Sequence, residues 1–103
     1  MTTPEGKVKN DIDKVLKRYG AYWFKPVQTG LGTRTLDYLG CYCGNFFSIE
    51  AKRENQHMTD SQRVIASTMR KAGAKVFEIN EVTGTAELEA WFRSVKPTEE
   101  YKG

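Results

Sequence analysis

The sequence is poor in the residues that define disulfide-rich, zinc-binding and membrane-spanning proteins. It has two cysteines, one histidine and three prolines among 103 residues, and no run approaches the ~20 consecutive apolar residues of a membrane helix. Cys41 and Cys43 lie two positions apart in a predicted strand, where their side chains point the same way and cannot comfortably form a disulfide. These shortages exclude a disulfide framework and disfavour a zinc site. Because the N-terminus also lacks an apolar signal-peptide core, we expect a soluble, intracellular protein with no membrane partner.

Charge of one sign is not in large excess either. Lys and Arg number 16 and Asp and Glu number 13, which leaves a net charge of +3, and this balance favours polyanionic partners only weakly. A chain of this length with 39% hydrophobic residues can build one compact core. We therefore predict a single domain over residues 1–103, with a loose tail over residues 96–103.

Apolar residues recur at helical spacing in three segments of the chain. The first predicted helix covers Pro4–Tyr19, and the last lies around residues 88–95. The second covers residues 59–73, where Thr59 and Gln62 form the Thr-x-x-Gln pattern of a capping box.

Four segments have the composition of strands, at residues 21–27, 36–43, 46–52 and 75–80. The last strand follows a helix, and such a crossover normally returns the chain parallel to an earlier strand. The sequence therefore predicts an α/β fold, with a mixed β-sheet flanked by helices in the order α-β-β-β-α-β-α.

The second and third strands are predicted to form a hairpin closed by Gly44-Asn45 as a two-residue turn. This turn sets Asp37 opposite Lys52 and diagonal to Glu50, with backbones roughly 7–8 Å apart. Asp37, Glu50 and Lys52 then share one face of the sheet. The opposite face is predicted to enter the core; it carries Leu36, Tyr38, Phe47, Ile49 and Ala51. An alternative interpretation makes Asp37 and Lys52 a simple cross-strand ion pair and leaves Glu50 solvated.

The acidic residues occur in a recognisable order along the chain. Glu5 lies in the first helix, Gly30-Leu31-Gly32 precedes Asp37, Glu50-Ala51-Lys52 forms an acidic-x-lysine signature, and Gln62 lies in the second helix. With these motifs the sequence resembles the VRR-NUC nucleases of the PD-(D/E)XK superfamily, in particular the small stand-alone type of viruses and bacteria. Leu36 stands where the superfamily name has proline. The resemblance implies a restriction-endonuclease-like core and a bacterial or other prokaryotic cytoplasm.

The resemblance also implies a metal site. Asp37, Glu50 and the Ala51 carbonyl would bind Mg²⁺, and Mn²⁺ would substitute for it. Lys52 is assigned to water positioning and charge stabilisation, because the neighbouring carboxylates favour its protonated form. Glu5 has two readings: it is a metal ligand, or it only complements the helix dipole. Gln62 is expected either to complete the capping box or to reach the site, but hardly both.

Arg34, Arg53 and Arg63 are candidate contacts to a nucleic-acid backbone, with an affinity that falls as salt rises. Because no Gly-rich loop joins a predicted strand to a helix, no nucleotide cofactor is expected. The resemblance therefore predicts a Mg²⁺-dependent, structure-selective DNA endonuclease. The favoured form is a homodimeric Holliday-junction resolvase that acts on branched DNA in repair and recombination. The alternatives are a monomeric nickase or flap-type nuclease, and a non-catalytic nucleic-acid-binding module on the same fold.

Overall fold

The computed structural model describes residues 3–28 and 34–103, so the predicted Gly30-Leu31-Gly32 motif lies outside the described residues. The chain forms an α/β fold, and the predicted order of elements is confirmed. The elements are α1 (Pro4–Tyr19), β1 (Tyr22–Phe24), β2 (Tyr38–Tyr42), β3 (Asn45–Ala51), α2 (Asp60–Lys71), β4 (Lys75–Ile79) and α3 (Ala86–Ser94).

The four strands form one mixed sheet in the order β1-β2-β3-β4. The first three strands are antiparallel neighbours, whereas β4 runs parallel to β3. This confirms the predicted parallel pair, because the crossover from β3 to β4 passes through helix α2. No helix within the described ranges is both long enough and apolar enough to cross a membrane.

The hairpin turn between β2 and β3 differs from the prediction. Tyr42 pairs with Asn45, so the turn residues are Cys43 and Gly44, both with positive φ (50° and 83°). The prediction of Gly44-Asn45 as the turn was wrong, because Asn45 is the first residue of β3. Its side-chain amide donates to the Lys96 carbonyl at 2.9 Å. The pairing consequently shifts by two positions, an even number, which leaves the side chains of both strands on their predicted faces. Asp37 comes level with Glu50 instead of Lys52.

Strand β1 is shorter than predicted, and the C-terminal tail makes contacts where a loose segment was predicted. Strand β1 ends at Phe24 and not at residue 27, because Pro26 cannot donate a backbone hydrogen bond. The tail, expected to be loose from residue 96, contacts the hairpin turn through the Lys96 carbonyl and through the Thr98 amide, which donates to the Cys43 carbonyl at 3.1 Å. The first part of this tail therefore helps to hold the turn.

Helices cover the two faces of the sheet unequally. On the α1/α3 face, helices α1 and α3 pack on Tyr38, Phe47, Ile49 and Ala51, all completely buried as predicted. On the α2 face, helix α2 packs over a smaller apolar cluster formed by Leu36, Met58, Ala66 and Val76. Leu36 was expected on the α1/α3 face. It lies before the first residue of β2, where strand alternation no longer dictates the direction of a side chain.

Candidate active site

Asp37 and Glu50 meet on the α2 face, at the end of the β2–β3 hairpin. The Asp37 amide donates to Glu50 Oε1 at 3.1 Å, and the Ala51 amide donates to Asp37 Oδ2 at 2.9 Å. Asp37 directly precedes β2 and Glu50 lies in β3, so each hydrogen bond joins a carboxylate on one arm of the hairpin to the backbone of the other, and the hairpin itself orients both acids. The cross-strand register that brings Asp37 level with Glu50 makes this exchange possible.

Glu50 is an ionisable side chain in a buried position, with only 3% of its surface exposed. Burial raises the pKa of its carboxyl to about 7, and the negative charge of Asp37 acts in the same direction, whereas Lys52 lowers it. Near neutral pH the protonated and ionised forms of this carboxyl are therefore both populated. A buried acid of this kind marks a candidate functional site, because burying it stabilises nothing by itself.

Lys52 lies on the same face as Glu50, one strand period further along the chain. Its amide donates to the Ile79 carbonyl at 2.8 Å, so the backbone continues to pair with β4 beyond the last residue of β3. The ammonium lies 3.3 Å from Glu50 Oε2, and 15% of the Lys52 side chain is exposed. The predicted trio is therefore brought together, but Lys52 pairs with Glu50 and not with Asp37. Glu50 is accordingly not left solvated, as the alternative interpretation required.

Gln62 makes both of the contacts that were expected to exclude each other. Its Oε1 accepts the Thr59 amide at 3.0 Å, which completes the capping box, and its Nε2 donates to Glu50 Oε2 at 2.8 Å. A side-chain amide has an acceptor and a donor on opposite atoms, so one residue can serve both partners. The expectation of a choice was wrong, because it treated Gln62 as having one polar end. Helix α2 is thereby tied to the acid pair.

Glu5 lies in the first turn of α1, beside an open depression of about 440 Å³ that also borders Lys52 and Arg53. Within residues 3–28 and 34–103, however, no three His, Cys, Asp or Glu side chains are arranged to hold a metal ion. Glu5 therefore lies beside Lys52 and Arg53, and its role as a metal ligand stays a prediction.

Lys9 is a site residue that the sequence reasoning missed. Its ammonium lies 4.0 Å from Asp37 Oδ1, with 35% and 22% of the two side chains exposed. A signal was present in the sequence, since Lys9 follows Glu5 by four residues and so projects from the same face of helix α1. The two lysines thus flank the acid pair, with Lys52 beside Glu50 and Lys9 beside Asp37.

The three predicted arginine contacts are all exposed. Arg53 follows Lys52 and lines the same depression as Glu5. Arg63 forms an ion pair with Asp60 at 2.8 Å in the first turn of α2, so part of its charge is offset. Arg34 precedes Asp37 by three residues, and no close contact between Arg34 and the acid pair is found in the described part of the chain.

The donor chemistry of the acid pair fits Mg²⁺. This ion keeps several waters and is usually bound by one or two carboxylates together with substrate phosphate oxygens, so two protein carboxylates suffice. Asp37 and Glu50 present hard oxygen donors side by side, and a cation would relieve the repulsion that contributes to the raised pKa of Glu50. Mn²⁺ is compatible with the same oxygen ligands.

No protein-family model matches this chain. The curated proteins likewise contain no match to it.

Proposed function

We propose that the protein is a divalent-metal-dependent endonuclease that hydrolyses phosphodiester bonds in branched DNA. The observation that carries this proposal is the grouping of Asp37, buried Glu50 and Lys52 at one end of the α2 face. Two acids that exchange backbone hydrogen bonds, with an ammonium at 3.3 Å, supply a cation site and a neighbouring positive charge. Phosphodiester hydrolysis requires both, because charge accumulates on the phosphate oxygens as water attacks.

Asp37 and Glu50, together with the Ala51 carbonyl, would hold a Mg²⁺ ion. The bound ion would make a water nucleophilic and offset the charge of the phosphate. The protein's own contribution is orientation. The Ala51 amide holds the Asp37 carboxylate, and Gln62 holds Glu50 Oε2, so both acids stay in place while the substrate enters.

Lys52 is proposed to position the attacking water and to stabilise charge on the phosphate. Its ammonium shares Glu50 Oε2 with the Gln62 amide, so Glu50 fixes its location. An ammonium group has three N–H donors and no acceptor, which makes Lys52 a suitable partner for an anion. Glu5 and Arg53 border the same depression, through which the DNA strand would pass.

We further propose that the active form is a homodimer that resolves Holliday junctions. One chain of 103 residues presents one acid pair, whereas paired cuts across a symmetric junction require two sites related by a twofold axis. Light scattering at working concentration tests this directly. A monomer under those conditions would remove the basis of the resolvase proposal and leave a nickase or flap-type nuclease.

The test of activity is cleavage of labelled four-way junction, flap and linear duplex DNA in Mg²⁺, Mn²⁺ or EDTA. The wild-type protein is compared with Asp37→Ala and with Asp11→Ala, a control that removes the same charge from an exposed position of α1. We expect cleavage in Mg²⁺ and Mn²⁺, none in EDTA, and loss of cleavage only for Asp37→Ala.

The pattern of cuts separates the candidate functions. Symmetric cuts in both strands of the four-way junction support a resolvase, whereas cuts in flap or duplex DNA alone retain the nuclease and discard that role. Binding of DNA with no metal-dependent cleavage of any substrate would overturn the nuclease proposal and favour a non-catalytic binding module.

A further inference from the structure

Lys9 is held beside the acid pair by its neighbour in the fold, Tyr38. The ring of Tyr38 is completely buried, and its hydroxyl donates to Asp13 at 2.6 Å and lies 3.1 Å from the Lys9 carbonyl oxygen. Tyr38 directly follows Asp37 in the chain, so this contact fixes the middle of helix α1 next to Asp37. The position of the Lys9 backbone, and with it the side of α1 from which the Lys9 side chain projects, is therefore a consequence of buried packing.

The ion pair between Lys9 and Asp37 is too long and too exposed to explain this placement by stability. The ammonium and Oδ1 are 4.0 Å apart, and 35% of the Lys9 side chain is exposed. Pairs of this kind contribute little to folding. Asp37 already accepts the Ala51 amide on its other oxygen, so Lys9 is not required to orient it. The ammonium can therefore turn toward another anion at small cost.

The four charged groups follow one another across the site in the order Lys52, Glu50, Asp37 and Lys9. We propose that Lys9 binds a phosphate of the DNA strand at this site, beside Asp37. This inference rests on the proposed function. A phosphodiester carries its negative charge on two non-bridging oxygens, and an ammonium beside the carboxylates can donate a charge-assisted hydrogen bond to one of them. When a divalent cation offsets the carboxylates, Lys9 loses its attraction to Asp37 and its charge is available to the phosphate.

The experiment compares Lys9→Ala and Lys9→Arg with Lys14→Ala. Lys14 is an exposed lysine on the same helix, turned away from the Lys9 side, so this control removes the same charge. Two quantities are measured for each protein: kcat and KM for cleavage in Mg²⁺, and the salt dependence of junction binding in Ca²⁺, which limits turnover. Thermal unfolding checks the fold, and Lys9→Met, which keeps an unbranched apolar side chain, replaces Lys9→Ala if the alanine variant does not fold.

For Lys9→Ala we expect kcat/KM to fall about 10- to 100-fold, mainly through KM, because a charge-assisted contact to the substrate is lost. The slope of log affinity against log salt should decrease in magnitude by about 1. Lys9→Arg should recover most of the activity, since arginine also binds phosphate, and Lys14→Ala should change neither quantity by more than about twofold.

The inference would be overturned if Lys9→Ala kept the kcat/KM and the salt slope of the wild-type protein. It would also be overturned if Lys14→Ala lost as much as Lys9→Ala, because equal losses would indicate a diffuse charge effect. If the wild-type protein binds DNA and cleaves none, the proposed nuclease fails, and the binding slope still decides the role of Lys9. If it binds no DNA, both proposals fail.

Discussion

The two faces of the sheet are built from the same strands and are used differently. The α1/α3 face is closed by an aromatic cluster, in which Phe92 lies against Tyr42 and Phe47 with ring centroids 4.8 and 5.5 Å apart. The α2 face has a much smaller apolar cluster and buries Ser48 and Glu50 beside it. One face therefore supplies hydrophobic stabilisation, and the other supplies the candidate chemistry.

Coverage of the α2 face is also incomplete. Tyr22, Phe24 and Phe46 lie on this face of their strands and remain 70%, 47% and 44% exposed. Helix α2 packs on Val76 of β4 and reaches Glu50 of β3 through Gln62, and so leaves β1 and the start of β3 open. A small domain can therefore concentrate its hydrophobic core on one face of its sheet and leave the other face free for polar groups.

The largest effect is expected from breaking the acid pair. Asp37→Ala or Glu50→Ala should lower cleavage at least about 10,000-fold, equivalent to about 5 kcal/mol of activation free energy, because each removes a proposed metal ligand. Junction binding should persist, since the predicted backbone contacts Arg34, Arg53 and Arg63 are unchanged. Single-turnover cleavage and gel-shift binding measure the two quantities, and unchanged turnover in either variant would refute the assignment of the site.

A substitution on the α1/α3 face should lower the stability of the protein without changing its rate of cleavage. Phe92→Ala should lower the free energy of unfolding by about 3–5 kcal/mol, because a buried aromatic ring is lost from a packed cluster. Urea denaturation gives this value. Cleavage per folded molecule should remain close to wild type, and a selective loss of cleavage at full stability would contradict the division between the two faces.

Glu50, on the α2 face, should make the free energy of unfolding depend on pH. Burial raises the pKa of Glu50 from 4.5 to about 7, so between these values the folded protein binds more protons than the unfolded chain. The free energy of unfolding should therefore be highest below pH 4.5, as far as Glu50 is concerned, and decrease by about 3 kcal/mol as the pH rises through 7.

Glu50→Gln removes this titration. Denaturation curves in EDTA at several pH values from 5 to 8 should show a smaller loss of stability for the variant than for wild type. Parallel pH dependences of the two proteins would mean that Glu50 has an ordinary pKa in the folded state.

The smallest effect is expected at Gln62, where two variants separate its two contacts. Gln62→Ala loses both hydrogen bonds and should reduce the free energy of unfolding by about 1 kcal/mol. Gln62→Glu keeps an acceptor for the Thr59 amide but replaces the donor to Glu50 with a second negative charge. It should retain the capping box and still cleave about 10-fold more slowly. Cleavage at the wild-type rate in both variants would remove Gln62 from the site.

Much of the arrangement follows from local patterns in the sequence. Alternation in β2 and β3 predicted that Tyr38, Phe47, Ile49 and Ala51 would be buried on one side of the sheet, and the helical spacing predicted α1 at its observed bounds. The same alternation grouped Asp37, Glu50 and Lys52 on the other face. These predictions held because the direction of a side chain within a helix or strand depends on backbone geometry alone.

The hairpin register, the placement of Lys9 and the pKa of Glu50 depend on contacts between segments that are distant in the sequence. The hairpin register depends on which residues occupy the turn, and Asn45 was drawn into the strand by its contact with Lys96, 51 positions away. The placement of Lys9 depends on the buried hydroxyl of Tyr38, and the high pKa of Glu50 depends on its enclosure under helix α2. Local sequence patterns were thus enough to predict the elements and the faces on which the acidic residues lie. Which charges meet, and how deeply they are buried, depends on the folded chain, because desolvation and pairing arise from segments distant in the sequence.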